Sequence, residues 1–368
     1  MMPRMGKSAL PCLLGALLLA AGCSKQEPAG EREASAPMEH ATRVPDGLRK
    51  QVRLLARQTC DTTAALTGAS QAFVDAPDVA KLETARQHWQ TAHARYQSLA
   101  FGYRLAGLAM PQEKNDRDPI DAHPQLPGYL DQVPGYPHSG LAYSEVPLTP
   151  AHLRKEHQSI DFYYLTLGFH PLEALLWPAG ESDPQATVER FTGSTAPESD
   201  EVVDAPARRQ ALLRVIAGEL KRDASALCST GNEAYLVTGL APLLEDPRRF
   251  MASLDEALGA TLGTALDALI SNPDAEDRNG MPLLHSPQAG TDITEYRRLI
   301  ADIRQQWLPM GLPNSEVRAP IDQALDELAT RLEAIDPMQR PLDTEALTAA
   351  RQQLDRVSQR LSAGGDAG

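Results

Sequence analysis

Nowhere in these 368 residues does an apolar run reach the roughly 20 needed for a membrane-spanning helix; the longest, Ala9–Gly22, stops at about 14. Basic charge is scarce as well. Lys and Arg number 35 against 49 Asp and Glu, for a formal charge of −14, and no basic stripe offsets it. That balance argues against a nucleic-acid surface and against docking on anionic lipid headgroups. Motifs that carry a mechanism in their spacing are missing too: there is no H-E-x-x-H, no G-x-S-x-G elbow, no P-loop and no dinucleotide fingerprint. No segment alternates convincingly with period two, so no strand is expected. Cysteine is limited to Cys12, Cys23, Cys60 and Cys228.

What is present at the start of the chain points to export. Arg4 and Lys7 precede the apolar stretch, and Ala20, Ala21 and Gly22 close it. A charged beginning, a short apolar centre and small residues at the end describe a secretory signal peptide over residues 1–22. The small residues directly before Cys23 resemble the lipobox of bacterial lipoproteins, in which the cysteine is lipidated and becomes the new N-terminus. An ordinary signal peptide that ends near a cysteine is the alternative. Ser24 stands where an aspartate would signal inner-membrane retention, so the expected place is the outer membrane, facing the periplasm, with the lipid as membrane anchor. Residues 23–43 are polar, with Pro, Gly and Ser, and suit a flexible tether. In that oxidising compartment Cys60 and Cys228 are expected to pair, two buried free thiols being the alternative. Closing so long a loop is worth about 4–5 kcal/mol at most on chain-entropy grounds.

From residue 44 onward the apolar pattern is helical. Leu82, Ala85, Trp89, Ala92, Tyr96, Leu99, Tyr103 and Ala106 alternate spacings of three and four, which predicts a bundle helix over 78–106 with 46–75 as its antiparallel neighbour. Residues 107–149 are rich in Pro and Gly and read as a long irregular excursion of the kind that carries function or covers something. Helix is predicted again at 150–167 and 206–228, with an acidic loop over 179–205. Further helices are predicted near 247–271, 292–308, 315–336 and 341–362. The fold class is therefore all-α, with two helical bundles in tandem, 44–232 and 233–368.

The stretch LGFHPLEALLWP, residues 167–178, is the one place where chemistry and burial meet. Proline is favoured at the first position of a helix, which puts His170 at the cap and Glu173 at the third position, as in a capping box. The same spacing lays an imidazole and a carboxylate on one helix face, near enough to share a metal ion or a proton. Gly168, just before them, lets another segment approach closely. Two ligands do not complete a metal site, so others must come from elsewhere. Asp116, Asp118 and Asp121 carry oxygen ligands, but a solvated acidic loop is the first reading and a cation site the alternative. His123 and His138 lie in the excursion, where they could fold over the site. His157 is expected as a hydrogen-bonded core histidine, and His88 and His93 as surface or boundary residues.

Gly168-x-His170-x-x-Glu173, followed by Ala174-Leu175-Leu176-Trp177, resembles the G-x-H-x-x-E signature of the imelysin family of bacterial envelope proteins. Trp89, Tyr96, Phe101 and Gly102 are similar to the family's W…Y…F-G helix. Ile120-Asp121-x-x-Pro124 is similar to its I-D-x-W-P turn, with His123 in place of tryptophan. His285-Ser286 and Thr291-Asp292 loosely resemble its second-half segment. The resemblance implies a two-bundle, all-helical fold with the motif near the bundle interface. It also implies His170 and Glu173 as ligands of a divalent or iron ion, and a lipid-anchored protein of metal handling with partners in envelope iron uptake. The alternative it carries is a metallopeptidase with Glu173 as general base. A structural or partner-docking lipoprotein, in which the motif only fixes a helix start, is the third reading.

Overall fold

The helix pattern condenses into α-helices and irregular connections; among the described residues there is no β-strand, and pairing is limited to isolated bridges such as that between Glu276 and Pro282. The computed structural model describes residues 46–112, 117–132, 136, 138–193 and 203–366. The expected signal peptide, Cys23 with the expected tether, and Asp116 lie outside the described residues. Among the described residues no helix is long and apolar enough to cross a membrane.

Two long helices open the fold, α1 (Asp46–Asp75) and α2 (Val79–Leu105), packed against each other along the seam read from the sequence. Leu82, Ala85, Trp89, Ala92, Tyr96 and Leu99 are all buried. Asp78 caps α2 by accepting from the Lys81 N–H at 2.7 Å. After the irregular excursion come α3 (Pro150–Glu156), α4 (Phe169–Leu176), α5 (Pro184–Thr192) and α6 (Ala205–Leu227), the last returning along α1. Cys60 on α1 and Cys228, which follows α6, are joined as a disulfide with Cα atoms 6.5 Å apart. Then α7 (Thr230–Leu244) leads to α8 (Pro247–Leu258), and a π-turn over Gly259–Gly263 continues into α9 (Thr264–Ser271). A second π-turn, Ile303–Trp307, joins α10 (Asp292–Asp302) to α11 (Leu308–Gly311); α12 (Ser315–Glu333) and α13 (Thr344–Asp366) complete the chain.

The helices of each half pack mainly with one another, α1, α2 and α6 in the first and α8, α12 and α13 in the second. Helix α2 touches both groups, reaching α8 and α10, and the buried apolar side chains run without a break from Leu48 to Leu361. The boundary expected at 232/233 falls in the first turn of α7.

Three segments depart from the sequence reading, each for a local reason. The helix predicted over 150–167 ends at Glu156. There the His157 imidazole faces the N–H groups of Thr166 and Leu167 at 3.3 Å each, while the Thr166 hydroxyl donates to the Leu153 carbonyl at 2.7 Å. These bonds fold the chain back, and Ile160 and Phe162, placed on or beside the presumed buried face, are 83% and 65% exposed. Within the predicted loop 179–205, Asp183 accepts from the Gln185 N–H at 2.9 Å ahead of Pro184 and starts α5, which buries Val188 and Phe191. Helix α7, missing from the sequence reading, is capped by Ser229 and carries Pro242 inside its last turn, where periodicity alone gives a weak signal.

Candidate metal centre

The glycine of G-x-H-x-x-E decides the geometry first. Gly168 has φ 99° and ψ −167°, a region open to glycine almost alone. A Cβ there would lie 2.5 Å from the carbonyl oxygen of Ile120. That oxygen accepts the Phe169 N–H at 2.8 Å, so the excursion docks on the very start of α4 and delivers Asp121 to the motif. The Trp89 indole N–H donates to the Phe169 carbonyl at 2.8 Å and ties the same turn to α2.

This corrects the capping reading. Gly168, not His170, is the N-cap of α4, and no side chain caps it. Pro171 is the third helical residue and Glu173 the fifth, too far along to reach back to the cap.

Four donors converge in front of the helix start. One ligand atom each from His93 on α2, Asp121 in the excursion, His170 on α4 and His285 before α10 lie within 4.8 Å of one another. Asp121 sits in the middle. Its Oδ1 is 2.9 Å from His93 Nε2 and 3.3 Å from His170 Nε2; its Oδ2 is 2.7 Å from Gln97 Nε2 and 3.4 Å from His285 Nε2. Behind the ring of donors stand further carboxylates. Glu295 Oε1 meets His93 Nδ1 at 2.8 Å and accepts the Thr291 hydroxyl, also at 2.8 Å. Asp292 accepts the backbone N–H groups of His285 and Ser286 at 2.6 and 3.2 Å.

Glu173, expected as a ligand, stands behind His170 instead of beside it. One oxygen meets His170 Nδ1 at 3.0 Å; the other accepts the N–H groups of Gln288 and Ala289 at 2.9 and 2.8 Å. The carboxylate is fully buried and thereby fixes both the tautomer of His170 and the position of the segment carrying His285. Such carboxylate-backed imidazoles present Nε2 to the centre as a lone-pair donor once its proton is gone.

Burial works against charge on His93 and His170, but their carboxylate partners prevail. Glu295 and Asp121 hold His93 well above the usual imidazole range, and Asp121 and Glu173 raise His170 to about 9. Burial alone would raise Asp121, yet His285, His93 and His170 keep it well below the usual carboxylate range. His123 lies next to the four, its ring centroid 4.0 Å from that of His285 and its Nδ1 3.1 Å from the Asp121 carbonyl oxygen. The residue is exposed overall; the positive field of His285, then burial, pushes it down to about 3.

His93, expected as a surface or boundary residue, is wholly buried instead. It lies one position off the seam facing α1, on a flank covered by α4, α10 and the excursion, elements remote in sequence. His285 and Glu295 gave no periodic signal at all. Of the other histidines, His157 is the expected core residue, with Nε2 2.9 Å from the Asp118 carbonyl oxygen, and burial pushes it down to about 4. His138 stacks on Tyr143, away from the centre.

Two nitrogens carry a message about occupancy. His170 Nε2 and His285 Nε2 are buried with no hydrogen-bond partner among the described residues, both aimed at Asp121 but misaligned for a bond. Buried polar atoms are nearly always satisfied, so a converging pair calls for a group that accepts lone pairs. Three imidazole nitrogens and one carboxylate oxygen fit a first-row transition metal such as iron, copper or zinc. A cleft of about 390 Å³ reaches the centre past Gln97, Asp121, His123, His285 and Tyr296. The π-turn at Gly259–Gly263 borders it with Ala260 and Thr261.

Comparison with known proteins agrees with the motif. The family model for imelysin matches residues 56–363. Among curated proteins no sequence matches. By structure the chain is similar to a crystal structure of an iron-regulated protein A precursor from Parabacteroides distasonis, with a TM-score of 0.56 over 87% of this chain and 93% of that one. At 13% identity that likeness speaks for the fold alone. With the signature in place and most of its length matched, the chain belongs to the imelysin family.

Proposed function

We propose that this is a lipid-anchored envelope protein that binds a transition-metal cation, iron first among them, as cargo in metal acquisition. The observation that carries the reading is the pair of buried Nε2 atoms of His170 and His285, neither in an aligned hydrogen bond, converging with His93 on Asp121. Iron as the metal draws further support from the iron-regulated protein of the same fold. The peptidase alternative gains nothing from Glu173. Both its oxygens are engaged by His170 and two backbone N–H groups, which leaves none to activate a water.

Anaerobic titration of the full chain with iron(II) tests the proposal, with one equivalent bound per chain as the expected result. Absence of saturable binding of iron, copper or zinc would overturn it. Glu173→Gln should weaken binding about 10–100-fold while the fold persists. The amide keeps an oxygen for Gln288 and Ala289, but its NH₂ then faces His170 Nδ1. His170 answers by placing its proton on Nε2, which turns a donor into a blocked position. Unchanged affinity in this variant would show that the tautomer does not matter.

The charged imidazoles also set a pH dependence. A cation must displace the proton of His170, so affinity for zinc, measured against a competing chelator, should climb as pH rises towards about 9. In the metal-free chain the same raised value stabilises the fold fully below the ordinary imidazole value of 6.5, and that contribution fades as pH rises through about 9. An affinity flat over this window would contradict the protonated pairing.

A further inference from the structure

The inner donors are poorly placed to meet a hydrated ion. His93 has a carboxylate on each ring nitrogen and is wholly buried, and His170 is 3% exposed with Glu173 behind it. A cation that still holds its water shell cannot exchange it for four buried donors in one step. His123 differs from them in each respect. It is the exposed histidine of the group and lines the cleft that leads to Asp121 and His285. Its Nδ1 lies 3.1 Å from the Asp121 carbonyl oxygen. A carbonyl only accepts, so this bond keeps the proton on Nδ1 and leaves Nε2 with a free lone pair. Its ring is 4.0 Å from that of His285 and 5.7 Å from that of His170, centroid to centroid. Yet it is not among the four residues whose donor atoms share the 4.8 Å cluster.

Resting on the cation-binding reading above, we propose that His123 is the loading ligand, which captures the cation in the cleft and passes it to the inner four. The sequence is one of ligand exchange at constant oxidation state. A metal–water bond breaks as the bond to His123 Nε2 forms. The bond to His123 then breaks as Asp121 and His285 bind, and His93 and His170 complete the set as their Nε2 protons leave to solvent. Asp118 and Asp121 both line the cleft and place carboxylates beside this point.

Stopped-flow mixing of the full chain with cobalt(II), followed by the visible absorption of the bound ion, tests the proposal. His123→Ala should slow association about tenfold, within the range by which a focusing cleft raises on-rates. Dissociation should slow by the same factor, because the inner donors set the affinity and a path removed is removed in both directions. One equivalent should still bind, with an unchanged spectrum, and His88→Ala should match wild type. Association as fast as wild type would overturn the proposal, as would a changed spectrum or a lost equivalent, which would make His123 a permanent ligand. Wild type that takes up no cobalt would instead remove the cation-binding reading itself.

Discussion

Asp121→Asn should lower metal affinity about a thousandfold, roughly 4 kcal/mol. Every donor of the centre is organised around this carboxylate, which touches His93, His170 and His285 and is steadied by Gln97. Asparagine keeps the shape but removes the anionic ligand. It also turns one oxygen into an NH₂ that points at imidazole nitrogens. The metal-free protein should respond in a second, diagnostic way. His93 and His170 owe part of their retained protons to Asp121, so the variant leaves buried charge under-compensated at low pH. Thermal melts should show a larger loss of stability near the ordinary imidazole value of 6.5 than near about 9, where His170 sheds its proton in wild type as well. Calorimetric titration gives the affinity; a value within tenfold of wild type would remove Asp121 from the ligand set.

The second large effect is expected at a residue with no side chain. Gly168→Ala should destabilise the fold by about 3–5 kcal/mol, combining a backbone region that L-residues avoid with a direct clash. Its Cβ would meet a main-chain carbonyl at 2.5 Å, and backbone does not swing aside as a flexible side chain does. Relief requires residues 119–121 to retreat from α4, which breaks the Phe169–Ile120 hydrogen bond and draws Asp121 away from His170. Stability and metal binding should therefore fall together. Gly218→Ala on α6 is the natural control, because a Cβ there meets nothing within 4 Å. It should be neutral or stabilising by about 0.5–1 kcal/mol, as for any unhindered glycine inside a helix. Chemical denaturation of the three proteins decides; a Gly168→Ala variant as stable as wild type would mean the close approach to Ile120 is dispensable.

The all-α class and the bounds of the long helices were legible because burial on one face imposes a period that survives in the sequence, as along Leu82–Tyr103. Where a side chain competes with the backbone, the period misleads. His157 ends at Glu156 a helix predicted to run on to residue 167. The site was half legible. His170 and Glu173 are three residues apart, so their proximity follows from helix geometry alone. The division of labour between them does not, since it depends on Gln288 and Ala289 occupying one oxygen of Glu173. Asp121 was suggested by its likeness to a family turn, but nothing local tied it to His170. His93 and His285 needed the tertiary fold, for only packing of α2 against α4 and α10 turns a helix flank into the wall of a buried centre.

His93 and Glu295, bonded at 2.8 Å, are separated by 202 positions along the chain, and Glu173 and Gln288 by 115. Contacts of that separation are the slow ones in folding, since closure of a long segment must precede them. A chain that emerges N-terminus first holds His93, Asp121 and His170 well before His285 exists. Half-synthesised protein therefore has three donors at most and no Gln288 to steady Glu173. Competence to hold an ion arrives only with the finished molecule, so occupancy of the centre would report that folding is complete.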